Sequence, residues 1–352
     1  MVIFQYIKIA LGWRNWSVFL YNAFLENFFL VLYFALVLPD FSNQFLIKVM
    51  LFYLFSVFST SYGYLINDYA DRETDALQGK KNVFSSLEKG DSILIILGVL
   101  GLSIVLGSYF VKDGPFLMIW FVWLFLATFY SLNPIRLKEK GRLGLIMVVL
   151  AQRLLPTLLV FAAFSYWSIV DIFLFCFYIF IRGFSSDLNH QLEDYHLDKR
   201  TKTNTFAVEA GYDSARKRFQ IILELEKFLF AVLLLRVYWV MRNLYPGFSL
   251  VYLSFFIGYL FLYFAAWYRV RQGADRNPFL EREKNIFQFL HHPVPTIIFP
   301  LILCLHLITL NSHYIWIVIF LLINKLIVQK DLLYNNFPVL LLREKMAVWG
   351  KK

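Results

Sequence analysis

Apolar runs close to the length that crosses a bilayer recur along this whole chain. They fall near residues 16–37, 49–66, 92–111, 115–132, 143–164, 166–184, 219–240, 249–268, 294–310 and 314–328. A helix needs roughly 20 apolar residues to traverse the hydrocarbon core. In that medium every backbone N–H and C=O must be satisfied within the protein, which leaves helices and closed barrels as spanning forms. The runs lack the polar alternation of barrel strands. The expected fold is therefore all-α, a polytopic transmembrane helical bundle of nine or ten spans, the last two runs being short enough to form one broken element. Composition agrees: 59% of the 352 residues are hydrophobic and 16% are charged, against about a quarter charged in a soluble domain. No stretch reads as a separate soluble domain, so residues 1–352 are expected to form a single integral membrane domain.

The net charge of +10 is explained by topology, with no nucleic acid as partner. Basic residues gather in alternate loops: Arg72, Lys80, Lys81 and Lys89; Arg136, Lys138, Lys140 and Arg142; Lys199, Arg200, Lys202, Arg216, Lys217 and Arg218; then Arg269, Arg271, Arg276, Arg282 and Lys284. The intervening loops carry little beyond Lys112 and Arg242. The rich set is expected on the cytoplasmic side with Lys8, Arg14, Lys351 and Lys352, in a multi-pass protein of a bacterial cell membrane. Cys176 and Cys304 both lie inside apolar runs and read as small packing residues.

Two polar stretches break this pattern. "YLINDYADRETD", residues 64–75, closes the second span. On a helix Asn67, Asp71 and Asp75 share a face, with Asp68 beside them and Glu73 pointing elsewhere. "SSDLNHQLEDYHLD", residues 185–198, closes the sixth span. Continued as one helix it puts Asp187, Gln191, Asp194 and Asp198 on one face, with His190 adjacent. Both stretches end even-numbered spans and so lie on the same side of the membrane. Carboxylates about 6 Å apart repel by on the order of 3 kcal/mol at an effective dielectric near 20. A cation removes that penalty, and hard oxygen donors with room for water suit Mg²⁺ bound together with substrate phosphates. The expected ligands are Asn67, Asp68, Asp71, Asp75, Gln191, Asp194 and Asp198. A third stretch, "YSLNPIRLKEKGR" at residues 130–142, supplies Tyr130, Arg136 and Lys138 to diphosphate oxygens not held by metal.

At these residues the chain resembles the UbiA family of intramembrane prenyltransferases. The resemblance rests on NDxxDxxxD at Asn67, Asp68, Asp71 and Asp75, on the YSxxPxRLK-like loop from Tyr130 to Lys138, and on a second DxxxD at Asp194 and Asp198. It covers residues 8–215, and the remainder is similar only as apolar spans. It implies a helical bundle around a central cavity, with Mg²⁺ on a prenyl diphosphate and the tail in an apolar tunnel. Many members carry Arg-Pro where this chain has "GKKNVF", residues 79–84, and Gly before Thr where it has "KRTKTNT", residues 199–205. The resemblance therefore does not name an acceptor.

The chemistry expected is Mg²⁺-dependent transfer of a prenyl group from a prenyl diphosphate to an aromatic or other lipophilic acceptor. Lys138, Arg136 and Lys81 stabilise charge on the departing oxygens, and Arg182, near the inner end of span six, is placed for a phosphate contact. Asp68, Asp194 and His190 are the candidate bases. Arg153 is expected to pair with Glu26 structurally, Asp171 to snorkel at the outer end of its span, and His291-His292 to lie in a loop. Two other outcomes stay open: an intramembrane terpene cyclase, in which the cation attacks its own chain, and a transporter, against which the acidic clusters at one membrane face argue. Acceptor, prenyl length and oligomeric state are not fixed by these residues.

Overall fold

The computed structural model describes residues 2–12, 17–19, 22–77, 79–112, 114–279 and 286–323, with Arg343 and Met346. Arg14, Arg282, Lys284, Lys351, Lys352 and the end of the expected last span lie outside the described residues. Among the described residues the structure is helical. In chain order the helices are α1 Val2–Leu11, α2 Ala23–Glu26, α3 Phe29–Val37, α4 Asn43–Leu77, α5 Lys89–Gly107 and α6 Gly114–Phe129. They continue with α7 Arg142–Ala163, α8 Ile169–Glu193, α9 Tyr195–Thr201, α10 Phe206–Ala210, α11 Tyr212–Leu244, α12 Ser249–Arg271, α13 Ile286–Leu310 and α14 Ile315–Leu322. Six described helical segments are long and apolar enough to cross a membrane; α6 and the segment ending in α14 are shorter apolar helices. The 33-residue α11 is long enough but more highly charged. The chain is an integral, multi-pass membrane protein.

The expected first span, 16–37, is broken. Asn22 divides it: its Nδ2 donates to the Val18 carbonyl at 2.9 Å and its Oδ1 accepts from Leu25 N at 3.0 Å. A buried amide that closes one turn and opens the next competes with a continuous helix. The second span is instead longer than its apolar run. Ser42 Oγ caps α4 by accepting from Phe45 N, and the 35 residues of α4 continue through the first acidic stretch to Leu77. Beyond it Gly79 takes φ +66°, the left-handed conformation that commonly ends a helix.

The described chain forms two compact units. The first comprises residues 1–26 and 42–219. There α4 packs on α5, where Ser59 Oγ and Ser103 Oγ share a hydrogen bond of 2.7 Å. It meets α6 through Tyr62 Oη and Thr128 Oγ1, also at 2.7 Å. Phe52, Phe55, Phe110, Phe116 and Trp120 form a tilted and edge-to-face aromatic cluster at the end of α4 remote from the acidic stretch. Leu94, Val105, Met118 and Phe121 are exposed on α5 and α6, as expected of side chains whose solvent is lipid. Asp171 does not snorkel. It is fully buried at the start of α8 and accepts the Tyr166 hydroxyl, because a buried carboxylate needs a donor.

The second unit comprises residues 27–41 and 220–352. α3 is apolar on every side and buried from Phe29 to Leu36. It packs on α13, with Phe29 and Phe299 ring centroids 5.5 Å apart. His291 is not in a loop. It ends the first turns of α13, buried, with Nδ1 2.7 Å from Glu226 Oε1, which Lys227 Nζ also reaches at 2.8 Å. Cys176 and Cys304 are free and buried in their respective units, as expected of packing residues.

Candidate functional site

The first acidic stretch lies on α4 as an unbroken helix, so Asn67, Asp71 and Asp75 do share a face. Asp68 is buried, 7% exposed. The segment after α4 returns over it: Asn82 Nδ2 donates to the Asp68 carbonyl at 2.6 Å and to Asp75 Oδ2 at 2.8 Å. Asn82, itself buried, was not singled out from the sequence. It lies in the "GKKNVF" stretch, and only the folded return of the chain reveals its role. Lys81, next to it, is exposed.

The loop between α6 and α7 folds back on the same face. Lys138 N donates to the Tyr130 carbonyl at 3.0 Å and Arg136 N to Leu132 O at 2.9 Å. Arg136 adopts φ +42°, ψ +62°, a left-handed conformation that costs a non-glycine residue about 1–3 kcal/mol. The strain aims two cations at one carboxylate. Arg136 Nη2 meets Asp71 Oδ1 at 3.1 Å, and Lys138 Nζ is paired with Asp71 Oδ2. Lys138 Nζ also lies 3.3 Å from Asn67 Oδ1, which accepts Ser131 Oγ at 2.6 Å. Arg136 is bonded further to Glu139 and to the Ser131 carbonyl. Burial pushes the Lys138 ammonium below its ordinary range, partly offset by Asp71. Burial opposes the Arg136 charge as well, but Glu139 and Asp71 outweigh it and hold the guanidinium more firmly protonated.

The second acidic stretch is not one continuous helix. α8 stops at Glu193, Asp194 takes ψ 0°, and α9 begins at Tyr195. The bend at Asp194 interrupts the helix, although Asp194 N still bonds the His190 carbonyl and Asp198 N the Asp194 carbonyl. Gln191 Oε1 accepts from Ala207 N at 3.2 Å, so this expected ligand oxygen steadies α10. His190 is exposed beside Glu193, 3.6 Å away, and is not among the cavity-lining residues. Arg182 is buried, and its Nη1 finds no partner among the described residues. Burial raises the Asp198 carboxyl above its ordinary range. Asp187 Oδ2 is buried without a hydrogen-bond partner among the described residues, which adds Asp187 to the candidates.

A cavity of about 350 Å³ runs through the first unit. One face of α4 lines it, through Phe52, Phe55, Ser59, Gly63 and Asn67 with their neighbours at helical spacing. From Phe52 to Asn67 that face extends about 22 Å at 1.5 Å per residue. Asn67 and Tyr130 connect it to the charged cluster, while Phe24, Phe52, Phe55 and Trp123 supply aromatic wall. Glu26 and Arg153 also line it, paired through Glu26 Oε2 and Arg153 Nη1. The pairing follows expectation; its position on a cavity wall does not.

Arg153 reaches the wall because α7 is irregular. Residues Leu150–Leu154 form a π-turn in which Leu155 N bonds the Leu150 carbonyl, five residues back. Pro156 has no N–H for the Gln152 carbonyl, so the regular ladder cannot continue there. Trp123 Nε1 takes the Ala151 carbonyl at 2.9 Å and Thr157 Oγ1 the Arg153 carbonyl at 2.8 Å. Gly183 of α8 leaves space for the Arg153 stem: a Cβ there would stand 2.7 Å from both Arg153 Cγ and Val149 Cγ1.

The donor set is one of hard oxygens, with an orphaned carboxylate oxygen at Asp187. Among the described residues no three His, Cys, Asp or Glu side chains converge as a ready cation cage. A site of this kind fits a divalent cation shared with the oxygens of a ligand, which is how Mg²⁺ is commonly held.

The UbiA prenyltransferase family model matches residues 28–291, more than half of the chain and well beyond the 8–215 region that carries the motifs. No protein of curated function matches. The fold is similar to that of a UbiA homolog from Archaeoglobus fulgidus solved bound to GPP and Mg²⁺, at 16% identity over 87% of this chain and 99% of that one, with a TM-score of 0.56. The same homolog bound to DMAPP and Mg²⁺ gives the same values. A structure reported for digeranylgeranylglyceryl phosphate synthase in membranes aligns at 14% identity over 87% and 99%, with a TM-score of 0.51. With the motif-bearing helices in place and the family model spanning most of its length, this chain belongs to the UbiA prenyltransferase family.

Proposed function

We propose that the chain transfers a prenyl group from a prenyl diphosphate to a lipophilic acceptor within the membrane. The observation that carries this is a cavity with aromatic wall at Phe52, Phe55 and Trp123 that reaches Asn67, whose Oδ1 lies 3.3 Å from Lys138 Nζ in the Asp71–Arg136–Lys138 cluster. An amphiphile with a multiply charged head and an apolar tail matches that division. Structures of a homolog of the same fold hold prenyl diphosphates with Mg²⁺, and the reading carries that ligand class to this chain.

Asn67, Asp68, Asp71, Asp75, Asp187, Asp194 and Asp198 would hold Mg²⁺ between them and the diphosphate. When bound, the ion neutralises the diphosphate and makes it a better leaving group. Asp71 holds Arg136 and Lys138 at the site, and both turn to the diphosphate oxygens as negative charge grows there. Gln191 keeps its oxygen on Ala207. The aromatic wall excludes water and presents negative ring faces to the allylic cation. Asp68, or a carboxylate of the second stretch, takes the proton the acceptor loses. The motif-bearing loops face the cytoplasm, supported by the charge difference between alternate loops, and residues 1–352 act as one enzyme.

The test uses membranes carrying the protein, labelled farnesyl or geranylgeranyl diphosphate, Mg²⁺ and a host lipid extract, with Asp71→Ala and Asp194→Ala alongside. Diphosphate release that requires Mg²⁺ and both aspartates, with label on a new lipid, is the expected result. Release with only a cyclised hydrocarbon would convert the assignment to a cyclase. No release from folded protein would remove the enzymatic reading.

A further inference from the structure

Charges at membrane depth are costly and face interiors or cavities. The Glu26–Arg153 pair is held on the cavity wall by several independent features: a π-turn, a proline, a glycine without which the arginine stem would not fit, and a counter-ion from another helix. A pair serving only to join α2 to α7 needs none of the open space beside it. The guanidinium has donor capacity to spare. Nη1 is used by Glu26 and Nε is buried, whereas Nη2 is neither buried nor hydrogen-bonded among the described residues and is the group free to face the cavity. Tyr64 and Asp187 lie within its electrostatic reach, and Tyr64 is one turn from Asn67. The pair therefore stands at the charged end of the cavity, where an acceptor must meet the reacting carbon.

We propose that Glu26 and Arg153 select the acceptor, and that they admit an uncharged head bearing an oxygen, such as a phenol or an alcohol, and turn away carboxylates and phosphates. The inference rests on the prenyl-transfer reading and names its acceptor class. An oxygen on an uncharged head accepts from Arg153, and its hydroxyl proton is donated to Glu26, with the ion pair left intact. An anionic head finds Arg153 already neutralised by Glu26, with Asp187 nearby. To bind Arg153 it must displace Glu26, leaving that carboxylate uncompensated in a low-dielectric wall. Selection here works by the repulsive element as much as the attractive one.

The experiment uses the full chain in phosphatidylcholine nanodiscs with Mg²⁺ and geranyl diphosphate at neutral pH. The probes are 4-propylphenol and 4-propylbenzoate, matched in size and differing in charge. Their binding is read by saturation-transfer NMR and corrected for partition into empty discs. The phenol is expected to bind about tenfold or more tightly than the benzoate, and Glu26→Gln to shift the ratio about tenfold toward the benzoate. Glu26→Gln with Arg153→Gln removes both charges of the pair together, so neither is left without its counter-ion; it is expected to abolish the preference. Equal binding of the two probes to the native chain, or a ratio unmoved in both variants, overturns the proposal. Geranyl diphosphate binding is followed in the same discs by ³¹P NMR. Its absence from the native chain would overturn the prenyl-transfer reading and the acceptor inference with it, whereas intact binding without phenol preference overturns the acceptor inference alone.

Discussion

Asp71 occupies an unusual position for a single carboxylate: it receives a guanidinium and an ammonium at once, both on a loop whose backbone is strained to deliver them. Truncating it should do more than remove a cation ligand, because Arg136 and Lys138 lose the group that holds them in place. Asp71→Asn is expected to lower diphosphate release by about 10²–10³-fold, the range found when one preorganised electrostatic partner is lost. Asn82 acts at one remove. It ties the Asp68 carbonyl to the Asp75 carboxylate, so Asn82→Ala should leave the protein folded. Its Mg²⁺ requirement should rise by about tenfold or more, in the range seen for outer-shell partners of metal ligands. A Mg²⁺ titration of activity measures this, and an unchanged half-saturation would show that Asn82 does not orient the ligands.

Among the elements, α7 shows how a helix can be made to carry a polar side chain into a cavity. Pro156 breaks the ladder at the Gln152 carbonyl, the π-turn absorbs the break, and Trp123 and Thr157 donate to the carbonyls on either side, of Ala151 and Arg153. Pro156→Ala should restore the regular bond to Gln152, raise the thermal midpoint in detergent, and lower acceptor-dependent turnover by about tenfold, since a displaced positioning group commonly costs that much or more. A stabilised protein of unaltered turnover would show that the π-turn is incidental. Gly183→Ala tests the facing helix. The added methyl meets Arg153 and Val149, and overpacking of this kind destabilises by about 1–3 kcal/mol, to be read as a lower melting temperature. Much of the element pattern was legible from sequence because it is local: the apolar runs, and the helical spacing of Asn67, Asp71 and Asp75. What was not legible depends on partners distant in sequence. Asn22 breaks the first run, a bend at Asp194 divides α8 from α9, and Asp171 is buried against Tyr166.

For the whole molecule, the charge distribution that gave the expected orientation also gives a test of it. Lys81 follows α4 and Lys112 follows α5, both exposed and at opposite ends of α5. In cells, Lys112→Cys should react with a membrane-impermeant maleimide, and Lys81→Cys only after the membrane is opened; the native cysteines are buried and contribute little background. The reverse pattern would place the motif loops outside. Family and cavity-facing chemistry could be anticipated from three short stretches, since carboxylate and cation spacing survives in the sequence. The Glu26–Arg153 pair could be anticipated as a contact but not as cavity wall, because a cavity is a property of what surrounds a pair.

The close approach of Gly183 to the Arg153 stem also constrains how this lineage can change. A side chain at 183 crowds the long stem at 153, and loss of the stem leaves Glu26 without its counter-ion. The constraint runs one way: Gly183 is needed wherever the Arg153 stem is kept, and Glu26 and Arg153 are held to each other. Descendants of this chain should therefore keep or exchange Glu26 and Arg153 together, and gain a side chain at 183 only after the stem at 153 has gone.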